Sequence, residues 1–249
     1  MNRSTKLAVF LVLILCGLLL AYYYWNPPGA SANRLRLLST WGLADFLAKA
    51  YPGTSALVLS NPFAMRKDAA PGVVDQERSG IEGLKIGFGT RLTLAKVAHP
   101  KLTPEAAANP RAVDIPPDAT TPLSYLVAKD AFDQLVRDNP DCALVVSLIG
   151  LPAKLDEVES WTRSGDPKYA LLLPDLRIMG SANAVLEAVR RDKLVAFVLD
   201  KPGSSVTTKR IGSDLKGEFD KRFLLVTKQN IEELRWKYPE AFGIRGDEK

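Results

Sequence analysis

Three unbroken apolar runs constrain this chain most: "CALVVSLI" (142–149), "YALLLP" (169–174) and "LVAFVLD" (194–200). Each has the length of a strand, and none shows the alternation of a half-solvated one. Runs of this kind need burial on both faces, which a parallel sheet between two helix layers supplies. The segments between them carry helical spacing instead. Ala128, Ala131, Phe132 and Leu135 predict a helix stopped by Pro140, and a shorter one is expected over 155–161. Ala182, Val185, Leu186 and Val189 recur at i, i+3, i+4 and i+7 behind Ser181, a suitable N-cap.

The flanks extend the pattern. "ALVLS" (56–60), "RLTLAKV" (91–97) and "RFLLVT" (222–227) read as further strands. A helix is expected to open at Ser39 or Thr40 and run to "YPG", and another to span about Asp75 to Lys85. Asn230 with Glu233 has the form of a capping box for a last helix ending at Pro239. Pro100, Pro104, Pro110, Pro116, Pro117 and Pro122 make 100–122 an irregular excursion, and 201–221 reads as a small hairpin. The fold class that follows is α/β: a doubly wound, largely parallel sheet of about six strands.

The amino-terminal segment sets the compartment. Leu7 to Trp25 carries no charge, and a helix of that length spans roughly 28 Å, close to the roughly 30 Å core of a bilayer. The apolar core of a cleavable signal is shorter, about 7–15 residues. Tyr22, Tyr23, Tyr24 and Trp25 form the aromatic cluster of a membrane interface, and Pro27, Pro28 and Gly29 end the run. The small-residue triplet Ala30-Ser31-Ala32 offers cleavage as an alternative. A lipid on Cys16 fits less well, because Leu15 precedes it and the apolar run continues to Ala21. The organisation expected is a short basic tail (1–6), a transmembrane anchor (7–25), a linker (26–38) and an extracytoplasmic domain (39–249) at the cell membrane.

Charge and residue inventory exclude several functions. Lys+Arg 33 against Asp+Glu 28 gives a net charge of +5, with the signs interspersed. No basic stripe with interleaved aromatics is present, so no nucleic-acid partner is expected. His99 is the only histidine, and Cys16 and Cys142 are the only cysteines, too few for a zinc or iron site. There is no G-x-S-x-G elbow and no Walker A pattern. "GFGTRL" (87–92) follows a helix and precedes a strand, the reverse of a dinucleotide fingerprint. No cofactor or metal is expected.

Ligands of doubly wound sheets sit outside the carboxyl ends of the strands. Here those ends present Asn61, Phe63, Gly150, Asp175, Arg177, Asp200 and Lys201. Phe63 offers an apolar face for a ring, Asn61 a donor and an acceptor, and the two aspartates accept from ligand hydroxyls. Each also has a structural role open to it: Phe63 as a plug of the core, the aspartates as helix caps.

Two family resemblances attach to these residues. "NPDCALVVSLIGLP" with "LVAFVLDKP" resembles the third and fifth strands of response-regulator receiver domains, Lys201-Pro202 matching their Lys-Pro pair. Leu148 stands where the phospho-acceptor aspartate belongs and Ser60-Asn61 where the acidic pair belongs, which removes that chemistry. From about Ser55 to Pro202 the element order also resembles one lobe of a type I periplasmic binding protein of the sugar-binding sort. "LVLSNPF" is similar to that family's first strand and ligand-facing turn, "DCALVVSLIGLP" and "YALLLPD" to its third and fourth strands, and "LVAFVLDKP" to its fifth. The resemblance implies that Asn61, Phe63, Asp175 and Asp200 face a ligand, without a full second lobe to close over it. The function expected is a non-catalytic recognition domain for a small polar ligand or an envelope partner; the alternative is a membrane-tethered enzyme acting through strand-end carboxylates.

Overall fold

The computed structural model describes residues 12, 14–17, 29–165, 167–204 and 212–243. The expected anchor, 7–25, lies outside these apart from Val12 and the helical residues 14–17. Among the described residues no helix is long and apolar enough to cross a membrane.

Six strands form one sheet: β1 (Ser55–Leu59), β2 (Thr93–Ala98), β3 (Leu144–Ser147), β4 (Lys168–Leu172), β5 (Leu194–Asp200) and β6 (Phe223–Thr227). Their order is β2-β1-β3-β4-β5-β6, parallel throughout except for β6, which runs antiparallel to β5. The three apolar runs are the buried centre and carry two cores, because successive residues of a strand face opposite ways. Leu57, Val145, Leu171 and Phe197 face one layer; Val58, Val146, Leu172 and Val198 face the other. β2 is an edge strand. Three of its six residues are exposed, and its pairing with β1 skips Ala95, a bulge opposite the Ala56–Leu57 step.

Helices α1 (Ala30–Ala50) and α2 (Pro71–Phe88) cover the second face, joined by α8 (Leu215–Arg222). The first face is covered by α5 (Ala131–Arg137), α7 (Ala182–Arg190) and α9 (Ile231–Lys237). Short helical turns α3 (Pro104–Ala108), α4 (Leu123–Leu126) and α6 (Glu159–Thr162) lie in the connections. The backbones of α1 and α2 nearly touch. A Cβ on Gly83 would stand 2.1 Å from Thr40 Oγ1 and 2.3 Å from the Leu37 carbonyl oxygen, and one on Gly87 would stand 2.7 Å from the Trp41 carbonyl oxygen.

Several expected boundaries move, each for a local reason. α1 starts at Ala30, so residues 30–38 are its first turns and not a linker. Ser39 and Thr40 do not open it: their hydroxyls donate back to the Arg36 carbonyl at 3.0 and 2.9 Å, a bond available only inside a helix. The excursion 100–122 contains α3, which Thr103 caps by accepting from Ala106 N at 3.1 Å, and a 3₁₀ turn, Pro110–Ala112. Residues 201–221 hold no hairpin among the described positions. Asp214 accepts from Gly217 N at 3.0 Å and opens α8 there, while 205–211 lie outside the described residues. Asn230 is not a capping box. Its Oδ1 accepts from Thr227 N at 2.8 Å and its Nδ2 donates to the Leu225 carbonyl at 2.9 Å, tying the turn after β6. Ser181 does cap α7, accepting from Ala184 N at 3.1 Å.

The α1–α2 contact yields a direct test. Gly83→Ala forces backbone apart and should lower stability by about 1–3 kcal/mol. Gly72→Ala, where a Cβ meets nothing within 4 Å, should be neutral or stabilise by up to about 1 kcal/mol. Denaturant melts of the two variants decide; equal losses would mean the close approach is not what the glycine serves.

Candidate functional site

The strand order places a topological switch between β1 and β3, where the connections leave in opposite directions. A cavity of about 200 Å³ opens there, lined among others by Arg36, Asn61, Glu77, Thr120 and Leu173. Beside it, outside β4 and β5, a cavity of about 360 Å³ is lined by Thr120, Leu173, Asp175, Arg177, Asp200, Glu240 and Phe242. Small-molecule sites run from roughly 300 Å³ upward, so the second is the more suitable in size. Thr120 and Leu173 belong to both and form the wall between them. Leu173 sits at φ 45°, a left-handed conformation uncommon for leucine, and its N–H donates to the Val198 carbonyl at 3.0 Å.

At the switch point the polar groups are engaged with one another. Arg36 Nη2 donates to Glu77 Oε1 at 3.2 Å and to the Leu148 carbonyl at 2.9 Å. Glu77 Oε2 accepts from the Ser60 hydroxyl and from Asn61 N at 3.4 Å. Burial pulls the Arg36 pKa down, and the Glu77 charge and hydrogen bond oppose this. Arg36 Nε lies over Gly80 without a partner, the one such buried side-chain atom among the described residues. His99 follows the end of β2 close enough to feel Glu77. Burial lowers its pKa, outweighing that charge, so the ring is neutral near pH 7.

Asp175 and Asp200 leave neighbouring strands but differ in situation. Asp175 is buried, and both its oxygens are occupied. Oδ1 accepts from Arg177 N at 3.2 Å and Arg177 Nε at 2.9 Å; Oδ2 accepts from Arg177 Nη2 at 2.7 Å and Thr120 N at 3.2 Å. Burial alone would raise its pKa, but the bonds from Arg177 and Thr120 outweigh it, leaving the carboxyl below the usual range. Arg177 also donates to the Asp118 carboxylate and, at 2.7 Å, to the Asp118 carbonyl. Asp175 and Arg177 therefore clamp the end of the proline-rich excursion over the sheet. Asp200 has no hydrogen bond or ion pair among the described residues. Partial desolvation raises its pKa, and it faces the larger cavity beside Glu240 and the buried Phe242.

The remaining sequence-derived residues fall elsewhere. Asn61 lines the smaller cavity, but its Oδ1 accepts from Phe63 N at 2.9 Å and caps the 3₁₀ turn Pro62–Met65. Phe63 lines a separate hollow with Pro110, under the guanidinium of Arg66 at 5.8 Å. Gly150, at φ 80°, lets the 121–124 segment lie close: a Cβ there would stand 3.0 Å from Ser124 Oγ. Lys201 Nζ donates to the Asp220 carbonyl at 2.9 Å. Asp175, Arg177 and Asp200 are thus brought together, while Phe63 and Lys201 are not part of either cavity. Arg36, Glu77, Thr120, Glu240 and Phe242 join the site without a sequence motif. One signal for Glu77 exists: it stands three residues before Gly80 on the face of α2 that Gly83 and Gly87 mark as packed.

No protein-family model matches the chain, and neither does any curated protein. Solved structures similar to it include a carbohydrate transporter from Acidothermus cellulolyticus in complex with myo-inositol (12% identity, TM-score 0.45, 83% of this chain and 62% of that one). A sugar-binding protein of a sugar ABC transporter from Bacillus halodurans matches at 12% identity and TM-score 0.44 over 80% of this chain and 64% of that one. An arabinose binding protein from Geobacillus stearothermophilus matches at 11% identity and TM-score 0.43 over 80% and 62%. These are proteins of the type I periplasmic binding kind that the sequence resembles. The chain spans less than two thirds of the length of each.

The clamp predicts acid sensitivity with a defined sign. A carboxylate whose folded pKa is depressed adds stability above its unfolded pKa, near 4, and loses it as pH falls through the folded value. Asp175→Asn should therefore flatten the dependence of melting temperature on pH below about 4, and cost about 1–3 kcal/mol at neutral pH. An unchanged acid limb would show that the clamp is not the group that titrates.

Proposed function

We propose that this chain is a membrane-anchored, extracytoplasmic recognition domain, held by residues 7–25, that binds a small polar ligand in the larger cavity without transforming it. The observation that carries this reading is Asp200: a carboxylate without a hydrogen bond or ion pair among the described residues, facing a cavity of ligand size at the carboxyl edge of the sheet. A ligand hydroxyl or amine donating to Asp200 replaces water the carboxylate has partly lost. Phe242 supplies an apolar wall. Arg177, with four of five N–H groups committed to Asp175 and Asp118, keeps one donor. The ligand class that suits this is a compact polyhydroxylated or amine-bearing molecule. The anchor is supported by the uncharged length of 7–25 and its aromatic end, and the outside location by the short tail before it, where Arg3, Lys6 and the amino terminus stand against Arg34 and Arg36 beyond the span.

A second reading, a tethered enzyme, draws on Glu240 lining the same cavity as Asp200, also without an ion pair among the described residues. Asp175 does not serve it as acid or base, since both its oxygens are occupied. Docking to an envelope protein through this edge is the remaining alternative.

Thermal-shift measurements on the full chain in detergent, against polyols, sugars and amino acids, test the proposal. A hit should be lost with Asp200→Asn, binding falling about tenfold or more for the lost charge-assisted bond. The melting temperature itself should hold or rise, because the variant removes a desolvated charge. Conversion of the hit to a product would favour the enzyme. A fall in stability with no small molecule ever raising the melting temperature would make the residue structural and favour the docking alternative. Intact-mass analysis of membrane-extracted protein checks the anchor: a mature amino terminus at Asn33 or a lipid on Cys16 would overturn it.

A further inference from the structure

The direction of α1 decides which way the site points. Its far end meets the amino ends of the strands: Tyr51 lies under Lys168 Nζ at 5.9 Å, at the start of β4. Arg36 is level with the opposite edge, donating to the carbonyl of Leu148, just past the end of β3. Residues 30–34 therefore extend past the carboxyl edge, Leu35 still packing against the core. Ala30 precedes Arg36 by about 9 Å of helix, and five residues from Trp25 to Ala30 reach at most about 18 Å. The cavity at the switch point lies within about 27 Å of the end of the apolar run. The opposite edge is a further ~21 Å along α1.

The carboxyl edge also carries groups suited to a lipid surface. The turn after β1 projects Met65, 69% exposed, followed by exposed Arg66 and Lys67. Arg66 is paired with Asp68 at 3.3 Å, but Lys67 has no carboxylate partner among the described residues, and neither does Arg34 on the projecting turns of α1. An apolar side chain with the cation Lys67 two residues on, and a second cation, Arg34, on the same edge, matches an anionic interface, where each basic group adds attraction.

We propose that the carboxyl edge of the sheet faces the bilayer that holds residues 7–25, with the 62–67 turn resting on anionic headgroups, so that both cavities open toward the membrane. This rests on the anchor reading above. It assigns a contact to Met65, Lys67 and Arg34, none of which lines the larger cavity.

The full chain, with Cys16→Ser and buried Cys142 retained, is reconstituted in vesicles of phosphatidylcholine with phosphatidylglycerol. An environment-sensitive fluorophore is placed at Met65→Cys or, as a control on the opposite edge, at Ser164→Cys. Headgroup spin-labelled lipid should quench the Met65 probe several-fold more than the Ser164 probe, and less at high salt or with Lys67→Glu. A Lys67→Cys probe reports the same surface if Met65→Cys does not fold. Equal or reversed quenching in chain that resists carbonate extraction overturns this orientation alone. Quenching at Met65 that needs a second, unlabelled copy instead of lipid overturns it in favour of self-association. Release of the chain by carbonate overturns the anchor reading, and the orientation with it.

Discussion

The approach of α1 to α2 is the contact on which the carboxyl edge depends. Gly83 and Gly87 let one backbone rest on the other, and the two helices then bring Arg36 and Glu77 to the same point between β1 and β3. An ion pair this buried gains little on its own, because desolvation cancels much of its attraction. Its partners offset that cost: the Leu148 carbonyl, the Ser60 hydroxyl and Asn61 N add hydrogen bonds to the two charges, leaving Arg36 Nε over Gly80 as the one buried side-chain atom without a partner among the described residues. The switch point is consequently rigid and largely self-satisfied. The carboxylate left without a hydrogen bond among the described residues, Asp200, stands farther along the same edge.

Asp175 and Asp200 show how environment separates identical side chains. Both end a buried parallel strand. Asp175 is followed two residues later by an arginine, and that short spacing folds a guanidinium back over the carboxylate while the excursion closes from above. Asp200 is followed by Lys201, but β6 returns antiparallel and α8 follows Asp214, so the lysine reaches the Asp220 carbonyl instead. The carboxylate is left facing the cavity. One aspartate holds the wall, and the other looks into the space the wall encloses.

The sheet was legible because burial on both faces leaves a compositional mark that needs no partner to interpret. The three apolar runs became β3, β4 and β5, and Ser181 capped as its spacing implied. Boundaries set by side-chain hydrogen bonds were less so, since Ser39, Thr40 and Asn230 have the chemistry of caps and use it elsewhere. The cavities were half legible. Asp175, Arg177 and Asp200 stand at strand ends that topology alone identifies, whereas Thr120, Glu240 and Phe242 arrive from a proline-rich excursion and a terminal turn with no period to follow. Phe63 illustrates the opposite error: adjacency to a strand end does not decide which hollow a side chain enters.

The bulge at Ala95 has a consequence for chains crowded side by side. A sheet edge with free backbone groups invites another strand, and its cure is a distortion that spoils the template. β6 and β2 are the two edge strands of this sheet. Skipping Ala95 in the register with β1 adds local twist to β2, and Lys96 follows immediately with a charge. Neighbouring copies would meet a bent, charged rim at β2 where a flat one would have permitted strand addition.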